Sequence, residues 1–403
     1  MSAKARDSQY RTPFLRTSNV LWDEVDLTVV DEMAITQEEL RSKSLASGDL
    51  LVCEGGDIGR AAVWTGQREV MSFQNHLHRL RPKTHLTCSR FYVYFLQCGF
   101  TQLGIFEGAG NKTTIPNLSK NRLAALEVPV PPLQVQQAIA SVLSTVRSGI
   151  KAHAVAQQLA QELKAGTMNE LFTRGLHGEV QKETEIGLVP ESWLVETLGS
   201  HHTVGSGGTP SRGNAAYWVD GDIPWVKTAE VNYCVITETA EHITQRGLEN
   251  SAAKLLPAGT LLMAMYGQGV TRGRVAILGI AAACNQACAS INTKDDAVLD
   301  KYLYQFLSWR YESIRQLAHG GQQQNLNLDI VRSLHVAAPS DAGEQQEIIS
   351  ILDAIDRKIE LHQQKRTVLE QLFKALLHKL MTGEIDVNDL DLQALTAEEV
   401  SPA

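Results

Sequence analysis

The sequence contains no run of about 18 apolar residues, and its first twelve residues are polar and charged with no apolar signal core. No helical membrane anchor or secretory leader is therefore expected, and the cytoplasm is the expected location. The six cysteines, at positions 53, 88, 98, 234, 284 and 288, form no CxxC pair and have no histidine at ligand spacing, so free thiols are expected rather than zinc or redox chemistry. Nucleotide motifs are missing too. Asn111 stands where a phosphate loop needs the Gly before Lys112, and Gly267, Gly269 and Gly273 fit neither GxGxxG nor GxxxxGK spacing. No Asn-Pro-Pro-aromatic or Asp-Pro-Pro-Tyr methyltransferase signature occurs, since Pro131-Pro132 is followed by Leu133. The histidines, including His201-His202 and His76 with His78, have no partner set for a metal or general-base site and read as surface polar residues.

The net charge of −8 argues against a nucleic-acid binder only until it is located. Residues 339–403 hold 6 basic against 13 acidic residues, so the acidity sits in that last segment and the globular parts are close to neutral. With 43% hydrophobic content over 403 residues, the chain can bury a sizeable core in two or three domains.

What is present is a duplication. In residues 343–384 a heptad stripe runs through Ile348, Leu352, Ile355, Ile359, His362, Arg366, Leu369, Phe373, Leu376 and Leu380. Shifted by 209 residues, 134–175 repeats it with Ile139, Leu143, Val146, Ile150, His153, Gln157, Ala160, Lys164, Thr167 and Leu171. His153 and His362 occupy the same seam position, where a lone polar residue sets register. The preceding globules repeat as well: Pro13-Phe14-Leu15-Arg16-Thr17 matches Pro224-Trp225-Val226-Lys227-Thr228, Gly48-Asp49-Leu50-Leu51 matches Gly259-Thr260-Leu261-Leu262, and residues 90–96, within an apolar helix expected at 89–100, match 301–307, all at an offset of 211. Short strands are expected at 14–20 and 50–53.

Prolines at 129, 131, 132 and 339 precede the two long helices, where a helix start tolerates them. At 1.5 Å per residue each helix would run roughly 60 Å, too long for one small core to bury. A seam of this kind wants a partner helix, and the copy supplies it. The expected fold is therefore α+β: two similar mixed α/β globules separated by two long antiparallel helices forming a coiled coil, with an approximate two-fold axis and the globules at opposite ends. Expected boundaries are a first globule at 1–132, a helix at 133–178, a second globule at 179–338, a helix at 339–385 and an acidic, disordered tail at 386–403. Two similar heads on a spacer suit two half-sites on duplex DNA, which recur roughly every 34 to 36 Å. The alternative is a two-headed scaffold that binds proteins or small ligands without touching DNA.

Several stretches carry a resemblance. Thr114-Ile115-Pro116-Asn117-Leu118-Ser119-Lys120, Val128-Pro129-Val130-Pro131-Pro132-Leu133 and Gln136-Gln137 are similar to the end of a recognition domain and start of the conserved helix in specificity (S) subunits of type I restriction-modification systems. Leu171-Phe172-Thr173-Arg174-Gly175-Leu176, Val189-Pro190-Glu191-Ser192-Trp193, Gly207-Gly208-Thr209-Pro210 and Ile223-Pro224-Trp225-Val226 extend the resemblance over nearly the whole chain. It implies two target recognition domains, each reading half of a split double-stranded DNA target, and helices that set the spacer and dock two modification (methyltransferase) subunits. It further implies restriction (motor and nuclease) subunits as additional partners, with S-adenosylmethionine, ATP and Mg in the modification and restriction subunits and no cofactor or catalytic role in this chain. One departure stands out. About 35 residues precede the Pro224 strand in the second domain, against 1–12 in the first, so the first domain is expected to be shortened at its start, with its opening strand absent, lost to a misplaced start codon or supplied by the C-terminal tail.

DNA contacts call for basic or amide side chains on exposed turns. In the first domain these are Arg60, Arg79, Arg81, Lys83 and Lys112; in the second, Lys227, Gln268, Arg272, Arg274, Gln322, Gln323 and Gln324, with the glycine-rich loop 267–274 the leading candidate.

Overall fold

The computed structural model describes residues 11–105, 117–267, 270–295, 297–317 and 325–390. Lys112, Gln268 and Gln322 to Gln324 lie outside the described residues. The chain divides into two compact units, Met1–Val155 with Gln363–Ala403, and Ala156–His362, so each unit takes part of both long helices.

In the first unit, strand Thr12–Leu15 pairs antiparallel with Asp31–Met33 and parallel with Ser72–Phe73, while Leu50–Cys53 lies between Ala61–Val63 and Leu77–Leu80. The helix Ser89–Cys98 covers the second sheet. The strand expected over 14–20 stops early. Asn19 is buried, accepts a hydrogen bond from the Arg16 amide and donates to the carbonyls of Asp26 and Val29, so the chain turns over Thr17–Asn19 instead of continuing.

The second unit repeats this plan with additions. Strand Ile223–Val226 pairs antiparallel with Glu241–Ile243 and parallel with Ala283–Cys284. Leu261–Ala264 again lies between two neighbours, Val275–Leu278 and Cys288–Thr293, and Asp300–Trp309 is the equivalent covering helix. Here the sheet gains His202–Ser206 on the outer edge of Cys288–Thr293, and Leu194–Thr197 pairs with His335–Ala338.

The long helices are Leu133–Arg174 and Ala342–Thr382. In the first unit Ile139, Leu143 and Val146 share a core with Leu376, Leu377 and Leu380, and a Cβ at Gly149 would stand 3.3 Å from a methyl of Leu369. In the second unit Met168, Leu171 and Phe172 share a core with Ile348, Ile349 and Leu352, and Lys164 Nζ lies 2.7 Å from Asp356. Of the seam positions, Ile139, Leu143, Val146, Ile348, Leu352, Leu376 and Leu380 are buried, while Ile150, His153, Ile355, Ile359, His362, Leu369 and Phe373 are half-buried. Apolar side chains buried to this degree contribute about 1.5 to 3 kcal/mol each.

Each long helix is tied to its globule by one buried glutamine. Gln136 accepts from the amide of Cys88 and donates to the carbonyls of Leu86 and Pro131. Gln345, at the repeated position, accepts from Leu299 and donates to Ala297 and Pro339. Both side chains are fully enclosed.

Two expectations need correction. The tail is ordered at its start: Val387–Asp389 forms a turn, Val387 is buried, and Leu390 packs beside it, because apolar side chains of the first unit are there to receive them. His202 is no surface residue but is 2% exposed, with Nε2 3.5 Å from Asp300, while His201 sits between Glu196 at 2.8 Å and Asp295 at 3.2 Å.

Candidate nucleic-acid interface

A parallel pair of short strands delivers both of its chains to the same end. In the first unit Phe14 is in register with Ser72 and Leu15 with Phe73, so Arg16 and Thr17 emerge beside Gln74 and Asn75. The Gln74 amide donates to the Leu15 carbonyl at 2.9 Å, which holds the two exits together. The hairpin that follows Leu50–Cys53 comes to the same place: the Glu54 amide bonds the His76 carbonyl at 2.9 Å, and Arg60 Nη2 bonds the Thr17 carbonyl at 3.3 Å. Arg60 also pairs with Asp57, Arg16 with Asp31, and Lys43 Nζ donates to the Asn75 side chain at 2.8 Å.

The second unit rebuilds this constellation at an offset of 211. Trp225 is in register with Ala283 and Val226 with Cys284, and Lys227 and Thr228 emerge beside Asn285 and Gln286. Asn285 donates its amide to the Val226 carbonyl at 3.0 Å, and the Thr228 hydroxyl donates to the Asn285 side-chain oxygen at 3.1 Å. Lys227 Nζ lies 2.9 Å from Glu241, which occupies the neighbouring strand as Asp31 does in the first unit. Both copies thus end their parallel strands in a cation held by a carboxylate, a threonine and two adjacent amide side chains, the second of them exposed.

Gly59 and Gly273, at φ +81° and +88°, close the hairpins in a left-handed conformation that suits glycine. Their amides bond Cys53 and Ala264, making Arg60 and Arg274 equivalents. The second hairpin is three residues longer, and this insertion hides the equivalence from a constant-offset comparison. Arg274 has a different partner, Asn232 Oδ1 at 2.6 Å, and its guanidinium lies 5.7 Å from the Tyr233 ring.

Among the described residues, the Gly207-Gly208-Thr209 turn occurs in the second unit alone. A Cβ at Gly207 would stand 2.0 Å from the Cys284 carbonyl oxygen, and one at Gly208 would stand 2.3 Å from the Ala252 backbone, so no larger residue fits either place. The turn brings the Thr209 hydroxyl to the Gln286 side chain and accepts the Trp225 indole N–H at the Gly208 carbonyl, 3.0 Å. The Arg212 guanidinium stands 3.8 Å from the Trp218 ring and 4.8 Å from the Trp225 ring and pairs with Glu241. Hydrogen bonds from Lys227 and then Arg212 hold the Glu241 carboxyl below its ordinary pKa. With Lys227 and Arg212 both matched to Glu241, this end offers hydrogen-bonding groups more than bare charge.

Of the residues nominated from sequence, Arg60, Lys227 and Arg274 belong to these constellations. Arg79, Arg81 and Lys83 do not: they lie at the opposite end of Leu50–Cys53, where Arg79 donates to the Ser44 carbonyl at 2.7 Å and Arg81 makes two 2.6 Å bonds to the buried Asp49. Lys83 is exposed. Arg272 departs from the expected exposure, being 8% exposed, because the turn at Gly273 folds the chain back toward Tyr311 and Ile314. The sequence reading missed Arg16, Thr17, Gln74, Asn75, Thr209, Arg212, Thr228, Asn285 and Gln286. The repeat of Pro13 to Thr17 in Pro224 to Thr228 was the available signal, but the adjacent amides became visible only once the parallel pairing was known.

Known proteins bear on this arrangement. The family model for the type I restriction modification DNA specificity domain matches residues 2–164 and again 190–371. The chain belongs to this family. A putative type I restriction enzyme MjaX specificity subunit from Methanocaldococcus jannaschii is 24% identical over 396 residues, covering 96% of this chain and 90% of that protein. The Escherichia coli EcoR124I/EcoR124II specificity subunit is 26% identical over 184 residues, 42% of this chain and 45% of that one. In fold, the S subunit of a type I restriction-modification system from M. genitalium matches with a TM-score of 0.59 at 15% identity, over 94% of this chain and 91% of that one. No helix among the described residues is long and apolar enough to cross a membrane. No group of three or more His, Cys, Asp or Glu residues among them is placed to hold a metal ion.

Proposed function

We propose that this chain is the non-catalytic specificity subunit of a type I restriction-modification complex, with each globular repeat reading one half of a bipartite target in duplex DNA. The observation that carries the reading is the duplicated constellation at the exit of the parallel strands, Arg16, Thr17, Gln74 and Asn75 against Lys227, Thr228, Asn285 and Gln286. Groups whose chemistry is the same in both copies, the cation and the threonine, suit the phosphate backbone, which is alike at every half-site. Groups that differ, the order of the two amides and the hairpins 54–60 and 265–274, suit base edges, where Asn or Gln can engage adenine and Arg guanine.

In this reading the long helices form an antiparallel coiled coil that sets the spacer and docks two modification subunits. Methyl transfer, motor and nuclease chemistry, with S-adenosylmethionine, ATP and Mg, belong to partner subunits. Because Arg16 and Lys227, the repeated cations of the proposed surface, are matched by carboxylates and the chain is net acidic, the isolated subunit neutralises few phosphates and binds DNA weakly until those partners join. The test is methylome sequencing of cells carrying the chain with its modification subunit. A split methylated motif is expected, and replacing 265–274 by the shorter 54–60 sequence should alter one half of it and leave the other intact. Unchanged methylation in both halves would refute the assignment of the hairpin, and no new methylation from an assembled complex would refute the function.

A further inference from the structure

Within the duplicated constellation the two repeats differ in what their inner amide can offer. In the second unit the side-chain oxygen of Asn285 takes two hydrogen bonds, from the Ala287 backbone amide at 3.1 Å and from the Thr228 hydroxyl at 3.1 Å. A backbone N–H can only donate, so the atom it meets is the carbonyl oxygen, and this fixes which way the side-chain amide faces. The hydroxyl must then be the donor in its own bond to that oxygen, and the Cys288 thiol donates to the hydroxyl in turn at 3.8 Å. An amide oxygen carries two lone pairs, and both are used. Asn285 Nδ2, with two N–H groups, has no partner among the described residues and reaches solvent. The first unit puts Gln74 in the same place: Gln74 and Asn285 each donate a backbone amide to the end of the parallel strand, to Leu15 and Val226. The Gln74 side chain makes no hydrogen bond among the described residues, and Leu77 stands where the second unit has Cys288. Gln74 therefore keeps a free acceptor and free donors, whereas Asn285 keeps donors alone.

We propose that Asn285 selects guanine at one position of the second half-site, an inference that rests on the reading of the strand exits as the DNA-facing surface. In the major groove adenine presents the N7 acceptor beside the N6 amino donor, so an amide must accept as well as donate to hold it. Guanine presents two acceptors, N7 and O6. With its oxygen already satisfied inside the protein, Asn285 meets the adenine amino group with donors only, and a polar group left unpaired in a closed interface is costly. Against guanine both of its N–H groups find an acceptor. The two inner bonds also hold this short side chain in one arrangement, so little freedom is lost when it meets a base. Gln74 retains both halves of the adenine pair. Two repeats built on one plan thus differ in the purine that the same position accepts, and the cause is the Thr228 and Ala287 donors behind Asn285 rather than the exposed side chain itself.

Asn285→Asp is the deciding variant, because Asp keeps an oxygen for Ala287 and Thr228 and turns the outward donors into an acceptor that suits the cytosine amino group. The assembled complex, carrying the parent or the variant chain, selects from duplexes randomised over one half-site at a time, and the bound sequences are counted. The parent should favour guanine at one position of the second half-site by about tenfold or more over the other bases. The variant should lose that preference or move it to cytosine, with selection in the first half-site unchanged. Asn285→Ala should leave the same position tolerant of every base, and it decides the matter if Asp abolishes binding. A parent preference for any base other than guanine at the position these variants alter, or an unaltered guanine preference in the Ala variant, would overturn the proposal and leave the function standing. Uniform weakening by Ala on all sequences would overturn it equally, since Asn285 would then sit on phosphate. An assembled parent complex with no sequence preference in either half would instead refute the functional reading itself.

Discussion

Replacing Gln345 by Leu keeps the side-chain volume close to the original and removes the polar atoms of the one fully enclosed side chain that ties the start of the second long helix to its globule. Three hydrogen bonds disappear: the Leu299 amide loses its acceptor at 2.9 Å, and the carbonyls of Ala297 and Pro339 lose donors at 2.6 and 3.0 Å. The site is 0% exposed, so water cannot replace them without the local structure opening. An unsatisfied buried group costs about 1 to 3 kcal/mol, and carbonyls tolerate the loss better than an N–H, so the net effect after the gain from a buried leucine is roughly 3 kcal/mol. For a unit of this size that corresponds to a fall in Tm of roughly 6 to 12 °C. Gln345→Glu should be worse still, because it retains the acceptor for Leu299 but sets a carboxylate against two carbonyl oxygens in an enclosed site. Calorimetry of the full chain and both variants measures this directly. A Gln345→Leu protein melting within 2 °C of the parent, or a Glu variant more stable than the Leu variant, would refute the view that this glutamine is a structural tie.

Two further outcomes follow from the geometry. Lys227→Gln removes a cation proposed to sit on phosphate, so binding by the assembled complex should weaken for all sequences alike, and the slope of log K against log salt should fall by about one; loss confined to one base of the motif would contradict the phosphate role. For His201, burial pulls the pKa down, but hydrogen bonds to Asp295 and Glu196 outweigh it and the net shift is upward. A raised folded pKa contributes stability that is fully present below the unfolded value near 6.5 and is lost as pH rises through the folded value. The Tm difference between the parent and His201→Gln should therefore be larger at pH 5.5 than at pH 8.5, and an equal or inverted difference would show that the two carboxylates do not hold the imidazolium.

The sequence by itself determined the duplication, the two long helices and their seam positions, because helical periodicity and repeat spacing are local properties that survive projection onto one dimension. Ile139 and Ile348, or Gln136 and Gln345, can be paired by counting. The basic residues were visible in the same way, but their fate was not. Arg81 lies on Asp49, Arg272 is turned inward, and Arg60 and Arg274 become equivalents only across a three-residue insertion. Those outcomes depend on which strands lie side by side. The parallel pairing of Thr12–Leu15 with Ser72–Phe73, and of Ile223–Val226 with Ala283–Cys284, joins segments nearly 60 residues apart. No local pattern encodes such a pairing: it is selected by burial of Phe14, Leu15, Trp225 and Val226 against distant partners. Tertiary structure alone therefore decided which amides stand beside which cations.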